Sequence, residues 1–148
     1  MMPSLLYDVL ANDSELTDMI GVVPGGAPAI FELQSVDERP IHDDYFIIFD
    51  FQETTVGIYG DGLSRLGEQT FQIWVHIALD VDREYNEINA IFNRIDELLL
   101  PIEQGVGTDG IRVTSVRLYA RSKNTVDPGW DTATRNGLYG VLFDQSAA

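Results

Sequence analysis

Few side chains in this 148-residue sequence are equipped for chemistry. It has two histidines and no cysteine, which removes thiolate zinc sites, disulfide frameworks and cysteine nucleophiles. His42 opens the run His42-Asp43-Asp44, where an imidazole adjoins carboxylates, and His76 follows Gln72 and Trp74. Imidazole plus carboxylate is the donor set of a divalent-metal site, and His42, Asp43, Asp44 and His76 together would describe a small acidic metal-dependent enzyme. The simpler reading is a solvated loop leading into a strand for the first cluster and a half-exposed strand residue for His76.

Other motifs point away from catalysis. Gly60-Asp61-Gly62-Leu63-Ser64 lacks the lysine of a phosphate-binding loop and precedes a strand, so it reads as a turn, and Ser64 lacks the flanking pattern of a nucleophile elbow. Asp80, Asp82 and Glu84 alternate as in a calcium loop but without its glycine and distal glutamate; helix capping accounts for the two aspartates. No carboxylate pair stands out among the 24 acidic residues. The expectation is a protein with no catalytic residues, no metal and no cofactor.

Charge is more informative. The formal net charge is -15, with an isoelectric point near 4.1. That excludes a broad grip on nucleic acid, which needs clustered cations, and disfavours an acidic membrane surface. Residues 1–60 hold eleven acids and one base, Arg39, whereas 111–126 hold Arg112, Arg117, Arg121 and Lys123 and no acid. Strict alternation would put Arg112 on one strand face and Arg117 and Arg121 on the other. A chain so polarised could set its basic edge against the acidic part of a neighbouring copy. Trp130 sits beside the tight turn Asp127-Pro128-Gly129 and serves either a subunit contact or the core; tryptophan is enriched at interface hot spots. The candidates for subunit contacts are therefore Trp130, Arg121 and Lys123, with Trp74 beside them.

The elements that must position these residues follow from periodicity. Leu5, Leu6, Val9, Leu10, Leu16, Met19 and Ile20 predict two helices over 4–20 broken at Asn12-Asp13-Ser14, with Ser4 capping the first and Asp13 or Ser14 the second. Strands are expected at 29–33, 45–51 (apolar but for Asp50, hence covered on both faces), 69–79, 111–122 and 138–143. In 69–79, Phe71, Ile73, Val75 and Ile77 face one way and Gln72, Trp74 and His76 the other. Tyr85, Ile88, Phe92, Ile95 and Leu99 form one stripe of a helix over 83–100, capped from Asp80-Val81-Asp82 and stopped at Pro101. Residues 52–68 and 122–136 read mainly as loops, though 54–59 continues extended. The fold class is α+β: one domain over 1–148, with a mostly antiparallel twisted sheet, a long helix packed on one face and an N-terminal helical segment. The amino terminus lacks a basic region and breaks its apolar run at Asp8, so no signal peptide is expected, and no stretch approaches the ~20 apolar residues of a membrane span.

The order of these segments resembles a known family. A helical stretch ending in Leu16-Thr17-Asp18-Met19-Ile20-Gly21, a Gly/Pro loop, a strand entering through Tyr45-Phe46-Ile47-Ile48-Phe49, the glycines of 60–62, then Phe71-Gln72-Ile73-Trp74-Val75-His76 with an acidic cap and a long helix is similar to the tail terminator, or tail-to-head joining, proteins of long-tailed bacteriophages. The likeness runs from about Leu5 to Phe143 and lies in order and length rather than in a fingerprint. It implies a small α+β subunit of a homohexameric ring that caps the tail tube, stops its polymerisation and offers a surface for the head. The implied partners are further copies of the chain, the tail tube protein and the head-tail connector, with DNA only as cargo passing through the channel. It also implies a place in the virion at the head-tail junction, after assembly in the host cytoplasm, and no membrane or cofactor. Connector and stopper components share this size and fold, so a head-side neck protein is the alternative.

Overall fold

The computed structural model describes residues 3–59 and 64–144, and the side chains of all of these except 52–59 and 64–66. The fold is α+β, a curled, mostly antiparallel sheet with three helices on one face. Helices α1 (Ser4–Ala11) and α2 (Ser14–Met19) come first, followed by β1 (Ile30–Glu32), a single 3-10 turn at Leu33–Ser35, β2 (Phe46–Tyr59) and β3 (Ser64–Ala78). Then come α3 (Asn86–Leu99), β4 (Gly105–Val106), β5 (Arg112–Arg121), β6 (Thr125–Asp127) and β7 (Thr132–Asp144). The strand order is β1-β2-β3-β7-β5-β4, with β6 paired to β7 off that path; β1 runs parallel to β2 and every other pairing is antiparallel.

The alternation of β3 does what its sequence predicts. Phe71, Ile73, Val75 and Ile77 are fully buried in one cluster with Ile88, Ile91, Phe92, Ile95 and Leu99 of α3 and with Leu6, Leu10 and Leu16 of α1 and α2. Each such side chain contributes roughly 1.5–3 kcal/mol by leaving water. β2 is covered on both faces: Ile47 and Phe49 enter this main core, while Phe46 and Ile48 join Ala29 in a smaller cluster on the opposite face, with Phe31, Val36, Ile41, Trp74 and Trp130 packed on it.

Several expectations are corrected. Residues 53–59 pair in register with 64–70, so most of 52–68 is a long β-hairpin; of the predicted turn at 60–64, Ser64 opens β3 and the rest lies outside the described residues. β7 begins at Thr132, six residues ahead of the predicted last strand, because Thr132–Gly137 lie against β3 over their whole length. With β6 pairing Thr125–Asp127 to Thr132–Thr134, the 122–136 loop contracts to its tip. Asp13 caps α2 through Leu16 N (2.8 Å), but Ser4 does not cap α1. Instead the Ser4 amide donates to Asp109 Oδ2 (2.8 Å), a carboxylate from the turn before β5. Asp80 and Asp82 do not cap α3, whose N-cap position is Tyr85; the Asp82 carboxylate accepts from Glu84 N and from the Tyr45 hydroxyl. Among the described residues, no helix is long and apolar enough to cross a membrane.

Candidate functional site

The residues capable of recognition gather on the sheet face opposite the helices. Because alternate residues of a strand share a face, Trp74 and His76 of β3 both project there, and the register sets Trp74 beside Ile48 and His76 beside Phe46 of β2. Trp130 reaches the same spot from the tip between β6 and β7. That tip is built by Asp127, whose Oδ1 accepts from the amides of Gly129 (2.8 Å) and Trp130 (3.4 Å), and by Asp131 in the left-handed region at φ 53°. Arg39 donates to the Trp130 carbonyl at 3.0 Å and fastens the tip to the 36–44 segment.

The rings form an angled box. Trp74 and His76 are near parallel (23°, centroids 6.2 Å apart), whereas Trp130 stands at 60° to His76 with centroids 5.2 Å apart. Phe46 stacks behind His76 at 5.0 Å. The box walls an open cavity of about 340 Å³, lined by Leu33, Ile48, Asp50, Trp74, His76, Asp127 and Trp130. Two carboxylates thus rim an aromatic floor. His76 is buried, with Nδ1 2.8 Å from Thr132 Oγ1, and burial holds its pKa down to about 4 against a small opposing pull from Asp127. Its ring is therefore neutral at physiological pH.

Of the residues singled out in the sequence, the structure unites Trp74, Trp130 and His76 and separates the rest. Arg121 lies on the helix side of the sheet. β5 carries irregularities between Val113 and Ser115 and between Leu118 and Ala120, so strict alternation fails, and Arg121 faces inward while Arg112 and Arg117 share the outer face. The Arg121 guanidinium lies 4.1 Å over the Phe92 ring, pairs with Asp96 at 2.5 Å and reaches the Tyr139 hydroxyl at 3.2 Å. Lys123 is exposed beyond the end of β5.

His42 sits elsewhere, exposed, between Asp43 (2.7 Å from Nδ1) and Asp80 (2.8 Å from Nε2). These two contacts, Asp43 first, raise its pKa above the ordinary histidine value. Asp44 accepts from its neighbour's amide, Tyr45 N. Among the described residues, no group of three or more His, Asp or Glu side chains is arranged to hold a metal ion. His42 and His76 line different cavities. Sequence reasoning missed Asp50 and Asp127 as members of the site. The signal for Asp50 was present, a lone carboxylate in an otherwise apolar strand.

The α+β fold built on this sheet is also found among solved structures. One chain in the structure of the virion of a native gene transfer agent particle superposes with a TM-score of 0.64 at 13% identity, covering 94% of this chain and 91% of that one. No protein-family description and no curated protein matches the sequence.

Proposed function

We propose that this protein is a structural, non-enzymatic subunit of a virion, and more narrowly a tail terminator: a ring, most simply a homohexamer, that caps the tail tube, halts its polymerisation and presents a surface for head attachment. The observation that carries this reading is the shared fold, over nearly the whole length of both chains, with a chain from a virion. The segment order of the sequence supports it. So does the distribution of charge, since a net charge of -15 suits a channel that DNA must traverse without sticking. Termination is then surface complementarity: one face matches the last ring of tube protein, and the other accepts the connector but no further tube subunit. Trp130 and Trp74, on an open cavity, and Lys123, exposed past β5, are the residues proposed for contacts between subunits; Arg121 is a weaker choice because Asp96 and Tyr139 already engage it. The reading is tested by inactivating the gene in its own virus and examining the lysate by electron microscopy. Tails of uncontrolled length without heads are expected; normal infectious particles would overturn it.

A further inference from the structure

The cavity between Trp74, His76 and Trp130 is unusual in combining an aromatic floor with carboxylates at its rim. An apolar occupant would bury Asp50 and Asp127 without a counter-charge, which is unfavourable. An anion would meet both carboxylates. A guanidinium or ammonium satisfies the whole lining at once, because cations are drawn to ring faces and to carboxylates alike. The near-parallel Trp74 and His76 rings and the Trp130 ring, set at 60° to His76, supply the aromatic surface, and the uncharged His76 ring adds no repulsion.

We infer that this cavity is a cage for a cationic side chain of a second copy of the chain, supplied by Arg117 or Lys123. The inference rests on the proposal that copies assemble into a ring, and adds which surfaces meet. Arg117 and Lys123 are exposed, and neither forms an ion pair with a described residue. Arg39, Arg94, Arg121 and Arg135 are instead engaged within the chain by Trp130 O, by Asp13, Glu15 and Glu97, by Asp96, and by Asn89 with Ser122 O; of the other described cations, Arg112 is half-buried and Arg83, though exposed, is flanked in the chain by Asp82 and Glu84, whereas Arg117 and Lys123 lie in the segment 111–126 that has no acid. Subunits of net charge -15 repel one another, and a cation seated between carboxylates offsets that repulsion at the contact. The cage is built on β2, β3 and the tip between β6 and β7, whereas Arg117 stands on β5 beyond β7 and Lys123 follows the end of β5, so cage and donor are different patches of one surface. Pairing them is head-to-tail, the arrangement that closes into rings.

Both tryptophans of the chain line this cavity, so tryptophan emission, excited where the six tyrosines do not absorb, reports on it. Titration of the full chain with N-acetyl-arginine amide is expected to give a saturable change in emission. The uncharged isostere N-acetyl-citrulline amide should bind at least tenfold more weakly, and Asp50→Asn should weaken the arginine response severalfold. An equal response to citrulline, or no response at all, overturns the cage. The source of the cation is read from the chain itself by sedimentation velocity with emission recorded in parallel. The wild type should associate with the same spectral change, and Arg117→Gln/Lys123→Gln should lose both. Association unaltered in that variant, or a wild type that stays monomeric at millimolar concentration, refutes the second copy as donor. Failure of either arm leaves the terminator reading to be judged on tube growth, which these measurements do not involve.

Discussion

Replacing Asp96 by Ala takes one carboxylate from beneath two buried donors. Asp96 accepts from Arg121 Nη2 at 2.5 Å and from the Tyr139 hydroxyl at 2.5 Å, and the two charged side chains are only 16% and 21% exposed, Arg121 and Asp96 respectively. Tyr139 is completely buried, and burial, with help from Asp96, pushes its pKa well above the usual phenol value. Removing one partner of such a pair costs about 3–5 kcal/mol because the other charge is left without compensation. Here the Phe92 ring under the guanidinium retains part of the stabilisation, so the lower end, about 3 kcal/mol, is expected. For a domain of this size that is a fall in Tm of roughly 6–12 °C. Urea unfolding should show a lowered midpoint at unchanged slope. The triple variant Asp96→Leu/Arg121→Met/Tyr139→Phe, which removes both charges together with the buried hydroxyl that Asp96 satisfies, should return to within about 1 kcal/mol of wild type. A loss below about 0.5 kcal/mol in Asp96→Ala, together with failure to assemble, would refute the reasoning and make Arg121 a contact between subunits.

Three further outcomes follow from the same geometry. A Cβ on Gly67 would lie 2.5 Å from Cζ of the buried Phe143, so Gly67→Ala should destabilise by about 1–3 kcal/mol, measured by urea unfolding. His76 is held by burial at about 4, below its unfolded value near 6.5. The unfolded chain therefore binds the proton more readily between those values, and folded stability falls as pH drops through that window by up to about 3 kcal/mol, with no such contribution above it. The difference between wild type and His76→Phe should carry this dependence, and a flat difference from pH 7 to 4 would exclude it. His42 has the opposite sign: with its pKa raised by Asp43 and then Asp80, the contribution is complete below about 6.5 and is lost as pH rises through the folded value. In an NMR titration Asp80→Asn should lower the His42 midpoint, and an unchanged midpoint would remove Asp80 as a partner in solution.

The regular parts of the fold were legible because burial leaves a period. The alternation of 69–79 and the stripe from Ile88 to Leu99 each report one dry face, and the structure buries those faces against each other. Thr132–Gly137 carried no such period. Its residues are polar or small, and they are strand only because β3 pairs with them along their whole length, so tertiary pairing outweighs local preference. The reversal of Arg121 is a matter of counting: the irregularity between Leu118 and Ala120 turns a side chain predicted to share a face with Arg117 toward α3, the one between Val113 and Ser115 brings Arg112 onto the face of Arg117, and nothing in a single sequence marks where a ladder slips. Capping failed at Asp80 and Asp82 for a related reason, since their partners His42 and Tyr45 lie far back in the chain. Half of the cavity could be read. Trp74 and His76 were placed on one strand face by their spacing, but Trp130 arrives from 54 residues beyond His76, through a tip that Asp127 folds and Arg39 fastens.

Termination of tube growth is the defining property of the proposed ring. Tail-tube protein from the same virus, polymerising in vitro, should stop growing when this protein is added in substoichiometric amount, one ring per tube end, and electron micrographs should show short tubes each closed by a single ring. Tubes that reach the same length distribution with and without the protein, and bear no added density at their ends, would contradict it.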